Sequence, residues 1–346
     1  MIAVAPAGLR PRWVLAGVAA VIAAVVLGLA VGPVSIGPLR VLEDVWRRVP
    51  LIGSGHGLDT FQSTIVWDLR LPRVVLALLV GSMLAAAGAS YQGVFRNPLA
   101  DPYLLGAAAG AGLAVTAVIV TTPAALGGDV SAVPVAAFVG ALIAVFASYA
   151  LGRAGGSTPA TLLLAGVAVT SFLTAIQAYL QQQNSDTLRQ VYTWILGRLT
   201  TATWSDVLLL LPYFVVSLTV LLAHRRMLDV LGVGDAEATT LGIDTRRTRF
   251  VIVAAASLAT AAAVSVSGLI GFVGIIVPHT IRLLAGASYR VVLPLSLLFG
   301  GAFLAFADLA ARTITSPAEI PIGVITAFVG APFFLIVLRT YATARA

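Results

Sequence analysis

Ten apolar, nearly uncharged windows divide the sequence, at about residues 13–31, 74–92, 103–121, 133–151, 161–180, 207–223, 250–267, 268–284, 291–311 and 321–338. A hydrocarbon core about 30 Å thick requires roughly 20 apolar residues per helix, and each window approaches that length. Inside a bilayer the backbone amides find no water to bond, so these segments must fold as helices. The expected fold class is therefore all-α: a polytopic membrane protein with about ten transmembrane helices. Composition agrees, because 59% hydrophobic residues, 10% charged residues and a mean hydropathy of +1.01 leave too little polar surface for a soluble fold. The spans consume the chain, and 1–346 reads as a single transmembrane domain.

The division between the seventh and eighth windows rests on Gly268 and Gly271, which punctuate a stretch, 250–278, that carries no charge. An even number of spans puts both termini on one side. With both termini cytoplasmic, thirteen of the 21 basic residues, all arginine, lie in inner segments and eight in outer ones, in the direction of the positive-inside rule. Arg10 and Arg12 ahead of Trp13–Ala30 resemble the start of a cleaved signal, but the apolar run is too long, and it reads as a retained first helix.

Several functions are disfavoured by what is missing. Without cysteine there are no disulfides or thiolate sites. His56, His224 and His279 are too scattered for a metal site, so no metal is expected. No nucleophile, base and orienting acid stand together, and no phosphate-binding loop is present, so the chain reads as a non-enzyme and any ATP must be bound by another chain. The net charge of +7 lacks the aromatic platforms of a nucleic-acid binder. His279 and Asp308 are nearly the only ionisable groups within the spans, which argues against a secondary, ion-coupled transporter, the alternative reading.

Four segments carry more specific information. In Arg96-Asn97-Pro98-Leu99-Ala100-Asp101-Pro102 the prolines favour extended backbone at Asn97 and Asp101, with Asp101 capping the next helix; the segment is either a stiff re-entrant turn or an ordinary connection. Gly106, Gly110 and Gly112 offer a small face for close helix packing. Within the long inner connection 224–249, Asp235 can cap a short helix over Ala236–Leu241, with Glu237 at its positive end and Gly242 ending it. Its apolar face, Ala238 and Leu241, needs something to pack on: a cytoplasmic partner, its own bundle or the lipid surface. Thr170, Thr174, Gln177 and Gln181 form one polar stripe on the fifth span, suited either to interhelical hydrogen bonds or to the wall of a path for a large hydrophilic cargo. Among the outer arginines, Arg70, Arg73 and Arg312 have three readings: snorkelling to head groups, an intrahelical pair of Arg312 with Asp308, or docking of a partner's carboxylate.

These segments, in this order, resemble the iron-siderophore, haem and vitamin B12 permease family of ABC importers. The matching residues are Leu69-Arg70-Leu71-Pro72-Arg73, Gly88 and Gln92 leading to Arg96–Pro102, Leu104-Leu105-Gly106, Leu163-Leu164-Ala165-Gly166, Trp194 with Gly197, and Gly234-Asp235 with Ala238 and Leu241-Gly242. Further on come Gly271-Phe272-Val273-Gly274 with Pro278-His279 and Arg282, Asp308 with Arg312, and Pro321-Ile322-Gly323 with Gly330-Ala331-Pro332. The resemblance implies a multi-pass permease of the bacterial cell (inner) membrane. It would act as a homodimer or beside a sister permease, with two cytoplasmic ATPase subunits that bind ATP and Mg and an extracytoplasmic substrate-binding protein. It implies import by alternating access of a metal chelate, ferric siderophore first, with cobalamin or haem also compatible. By the same resemblance Arg70, Arg73 and Arg312 dock the binding protein, Asp235, Glu237, Ala238, Leu241 and Gly242 couple to the ATPase, Asn97, Pro98 and Leu99 form a gate, and the polar stripe lines the path. One departure is Gly156-Ser157-Thr158-Pro159-Ala160-Thr161, where proline and alanine replace small hydroxyl residues of the vitamin B12 permease, leaving the second gate loop unassigned.

Overall fold

The computed structural model describes residues 8–34, 36–47, 58–121, 132–156 and 158–343, with side chains to residue 337. His56, Ser157 and Arg345 lie outside the described residues. In chain order the helices are α1 (Pro11–Ala30), α2 (Pro38–Arg47), α3 (Thr60–Thr64), a π-helical turn (Ile65–Arg70), α4 (Leu71–Phe95), α5 (Ala107–Thr121), α6 (Ala132–Ala154), α7 (Pro159–Gln183), α8 (Leu188–Ile195), α9 (Trp204–Ala223), α10 (Arg225–Val233), α11 (Asp235–Thr240), α12 (Thr245–Ser267), α13 (Val273–Ala285), α14 (Tyr289–Thr313) and α15 (Ile322–Thr343).

Among the described residues seven stretches are long and apolar enough to cross a membrane: Pro11–Ala30, Thr60–Phe95, Ala132–Ala154, Pro159–Gln183, Trp204–Ala223, Thr245–Ser267 and Tyr289–Thr313. The other three apolar windows are shorter helices, Ala107–Thr121, Val273–Ala285 and Ile322–Val337. The third window is shortened because its first residues are spent on a turn: Asp101 Oδ1 accepts the Tyr103 N–H at 2.7 Å, and α5 begins only after Gly106, at φ +83°. Asp101 thus closes an aspartate turn and does not cap a helix, correcting the sequence expectation. The uncharged run 250–278 does break at Gly268, whose φ of +69° is a conformation that side chains with a Cβ rarely adopt.

Helix α4 is the axis of the bundle. Of its most apolar window 83% is buried, which explains why Val80 to Val94 is mostly alanine, glycine and other residues with small or compact side chains. Close approach sets this composition: a Cβ at Gly88 would strike the Gly274 backbone of α13, and one at Gly81 would strike the Gly300 carbonyl of α14. Without a hydrophobic drive between helices in lipid, such backbone contacts supply much of the packing. Gly110 meets Gly140 in the same way where α5 crosses α6. At the other extreme, only 11% of the α7 window is covered, so α7 presents most of its surface outward.

Candidate functional sites at the two ends of α4

Arg73 stands in the first turn of α4 and Arg96 just beyond its last, so the polar clusters around them are separated by a 25-residue helix, about 37 Å at 1.5 Å per residue. At the Arg73 end the three arginines turn inward. Arg70, Arg73 and Arg312 are only 6%, 9% and 4% exposed. The Arg73 guanidinium donates to Asp308 at 2.8 and 2.9 Å and to Glu319 at 2.8 and 2.9 Å, two carboxylates on one fork. Arg312 donates to the Gly28 carbonyl at 2.6 Å, and its Nε lies 3.8 Å from Asp308 one turn before it. Arg70, closing the π-helical turn, donates to the carbonyls of Leu29, in the last turn of α1, and of Val34, in the bend that follows it. None of the three snorkels outward, which corrects that reading. The intrahelical Asp308–Arg312 pair is present, and every fork is engaged by the chain's own acceptors.

At the Arg96 end the backbone reverses at Arg96 itself, with φ +51°. Asn97 Oδ1 then accepts the Leu99 N–H at 3.0 Å and the Asn97 carbonyl accepts that of Ala100 at 3.0 Å, leaving Pro98 and Leu99 exposed on a tight turn. The turn is anchored from both sides. Tyr103 Oη donates to the Ile270 carbonyl at 3.0 Å and accepts the Ile270 N–H at 3.1 Å. Gln92 Nε2 donates to the Gly274 carbonyl at 3.0 Å, and its Oε1 accepts from Arg282. Desolvation in this turn pushes the Asp101 carboxyl up to about 6, against the opposing pull of the Tyr103 N–H.

A carboxyl raised in the folded state stabilises the fold fully below its unfolded value near 3.8, and that contribution is lost as pH rises through about 6. In detergent the wild type therefore gains thermal stability, from this residue, as pH falls from 7 to 4. Asp101→Asn removes that gain in scans at stepped pH, and an unchanged pH profile contradicts the assignment.

The short helix α11 sits beside this turn. Its N-cap is Gly234, not Asp235, because the Asp235 carboxylate is drawn to Arg249 at 2.9 and 3.1 Å and to Arg96 at 3.4 Å. Ala238 is fully buried against the bundle, whereas Leu241 is 67% exposed and Glu237 faces outward. The expected Ala238–Leu241 face is thus split, one residue inward and one free. Gly242, at φ +81°, ends the helix as expected and donates to the Thr239 carbonyl at 2.9 Å. Asp229 ties the preceding α10 to α14 through Ser288 Oγ at 2.8 Å and the Tyr289 N–H at 2.6 Å.

The stripe on α7 is uneven. Gln177 is buried and packs on Gly112, Thr170 and Gln181 are half-buried, and Thr174 is exposed. Sequence reasoning assigned no role to Glu319, Arg249 or Asp229. Each is a charged residue next to an apolar run, with a partner too distant along the chain for any periodicity to reveal. Among the described residues no group of three potential ligands stands together for a metal.

Comparison with known proteins gives these clusters a context. The model of the FecCD transport family matches residues 20–340. The chain is 48% identical over 285 residues to the cobalamin import system permease protein BtuC of Halobacterium salinarum, covering 82% of this chain and 75% of that one. It is 40% identical over 318 residues to the hemin transport system permease protein HmuU of Yersinia pestis, covering 90% and 92%. Among solved structures, a metal-chelate type ABC transporter in an inward-facing conformation superposes with a TM-score of 0.81 at 28% identity, over 96% of this chain and all of that one. With a family model spanning nearly its whole length and relatives this similar, the chain is a multi-pass membrane protein that belongs to the FecCD transport family.

Proposed function

We propose that the chain is the permease subunit of an ATP-driven importer that carries a bulky metal chelate from a delivery protein to the cytoplasm. The observation that carries this reading is α11: a six-residue helix cannot stand alone in water, yet here it is pinned to the bundle by Asp235 and Ala238 while Leu241 is held out. That is the form of a contact meant for another protein. In this reading 224–249 is the cytoplasmic coupling loop, both termini are cytoplasmic, and the three shorter apolar helices complete ten spans. Two ATPase subunits bind ATP and Mg, and a second permease pairs with the uncovered face of α7.

Asn97, Pro98 and Leu99 gate the inner end. Tyr103 and Gln92 link that gate to the Gly268–Gly274 break, so motion of one is felt by the other. Docking of a delivery protein at Arg70, Arg73 and Arg312 then requires an incoming carboxylate to replace an acceptor the chain now supplies, and Glu319, on the connection between α14 and α15, is the most accessible of these.

Cargo is the finer question. The sequence favours a ferric siderophore by family frequency, while the 48% identity with a cobalamin permease puts cobalamin first for testing. Proteoliposomes holding the permease, its ATPase and its delivery protein should accumulate labelled chelate only with ATP, and a protonophore should have no effect. Uptake that persists without nucleotide and collapses with the ion gradient would make the chain a secondary carrier.

A further inference from the structure

Away from both clusters, a cavity of about 250 Å³ opens where the C-terminal end of α6 meets the first turn of α12, lined by Tyr149, Arg153, Asp244, Arg246, Arg247 and Phe250. Three of its six walls are exposed arginines, and among the described residues none of them makes an ion pair. The single acid, Asp244, is occupied as the α12 cap, its Oδ1 accepting the Arg247 N–H at 2.9 Å. The contrast with Arg249, two residues on and buried against Asp235, shows that this part of the chain can satisfy an arginine internally. At Arg153, Arg246 and Arg247 it does not.

An apolar track leads away from the cavity into the span. Tyr149 and Phe250 meet at its mouth, ring centroids 5.4 Å apart and planes tilted by 60°, and beyond them Phe146, Ile143, Val139 and Val135 follow at helical spacing along one exposed face of α6. From Phe146 to Val135 the helical rise is about 16 Å, the depth of one leaflet of a core about 30 Å thick.

We propose that this cavity binds the headgroup of an anionic phospholipid, its phosphate held by the guanidinium groups of Arg153, Arg246 and Arg247 and one acyl chain lying along Phe146 to Val135. Forked guanidinium donors match phosphate oxygens, and basic pockets at helix ends recognise anionic headgroups. A protein partner would use the arginines and leave the track unexplained; a lipid uses both. The inference rests on the membrane-spanning reading and is independent of the cargo, the ATPase and the orientation.

The test is native mass spectrometry of the full-length chain in detergent with added dioleoylphosphatidylglycerol or dioleoylphosphatidylcholine. The anionic lipid should be retained roughly tenfold better, a preference that Arg153→Gln/Arg246→Gln/Arg247→Gln abolishes and Arg225→Gln/Arg226→Gln preserves. If the triple variant does not yield a monodisperse protein, Arg153→Gln alone should still lower the preference by about threefold. Two results overturn the proposal: an unchanged preference in a folded variant, or complete displacement of the bound lipid by millimolar inorganic phosphate.

Discussion

Arg73→Leu is expected to destabilise the protein by about 3–5 kcal/mol, a fall of roughly 5–10 °C in the thermal midpoint in detergent. The size follows from what the substitution leaves behind. Asp308 is 1% exposed, and once the Arg73 fork is gone its carboxylate faces only Arg312, at 3.8 Å and with poor geometry. Removing one partner of a buried pair exposes the full desolvation cost of the other, whereas removing both does not. The double variant Arg73→Leu/Asp308→Leu should therefore recover at least half of the loss. Glu319→Gln, at a carboxylate whose side chain is 29% exposed, should cost about 1 kcal/mol or less. A midpoint for Arg73→Leu within 2 °C of wild type would show that the fork carries little of the fold's stability.

Leu241→Glu is expected to act in the opposite sense, leaving stability within about 0.5 kcal/mol of wild type while lowering ATP-driven uptake by more than tenfold. An exposed leucine at the end of a pinned helix suits insertion into a groove of a partner, and burying it there would contribute about 2 kcal/mol. A carboxylate at that position loses the insertion and adds a desolvation cost. Uptake and ATP hydrolysis measured in the same vesicles separate the outcomes: hydrolysis should become independent of delivery protein as uptake falls. Normal uptake with Leu241→Glu would remove α11 from the coupling path.

What lipid dictates was readable in the sequence; what distant side chains dictate was not. The apolar windows locate the long helices, and Gly268 marks the break in a run without charge, because both follow from local chemistry. The limits of α11 miss by one residue at each end, and at the start the reason is non-local: Asp235 is a good cap in isolation, but Arg249 lies fourteen positions away and recruits its carboxylate. The inward turn of Arg73 depends on Asp308, 235 positions away, and on Glu319, 246 away. Helix α2 passed unnoticed for another reason. It is short and amphipathic, and its buried Asp44, accepting from Trp67 Nε1 at 2.8 Å and the Leu58 N–H at 3.1 Å, reads as a surface acid until the fold brings those donors to it.

The bareness of α7 has a consequence for the life of the newly made chain. A membrane helix bearing threonines and glutamines, with hardly a tenth of its apolar window shielded, offers the bilayer polar groups that another subunit would cover. Where a second permease covers that face, as proposed, an unpaired copy leaves it bare, and pairing should protect the newly made chain from membrane proteolysis.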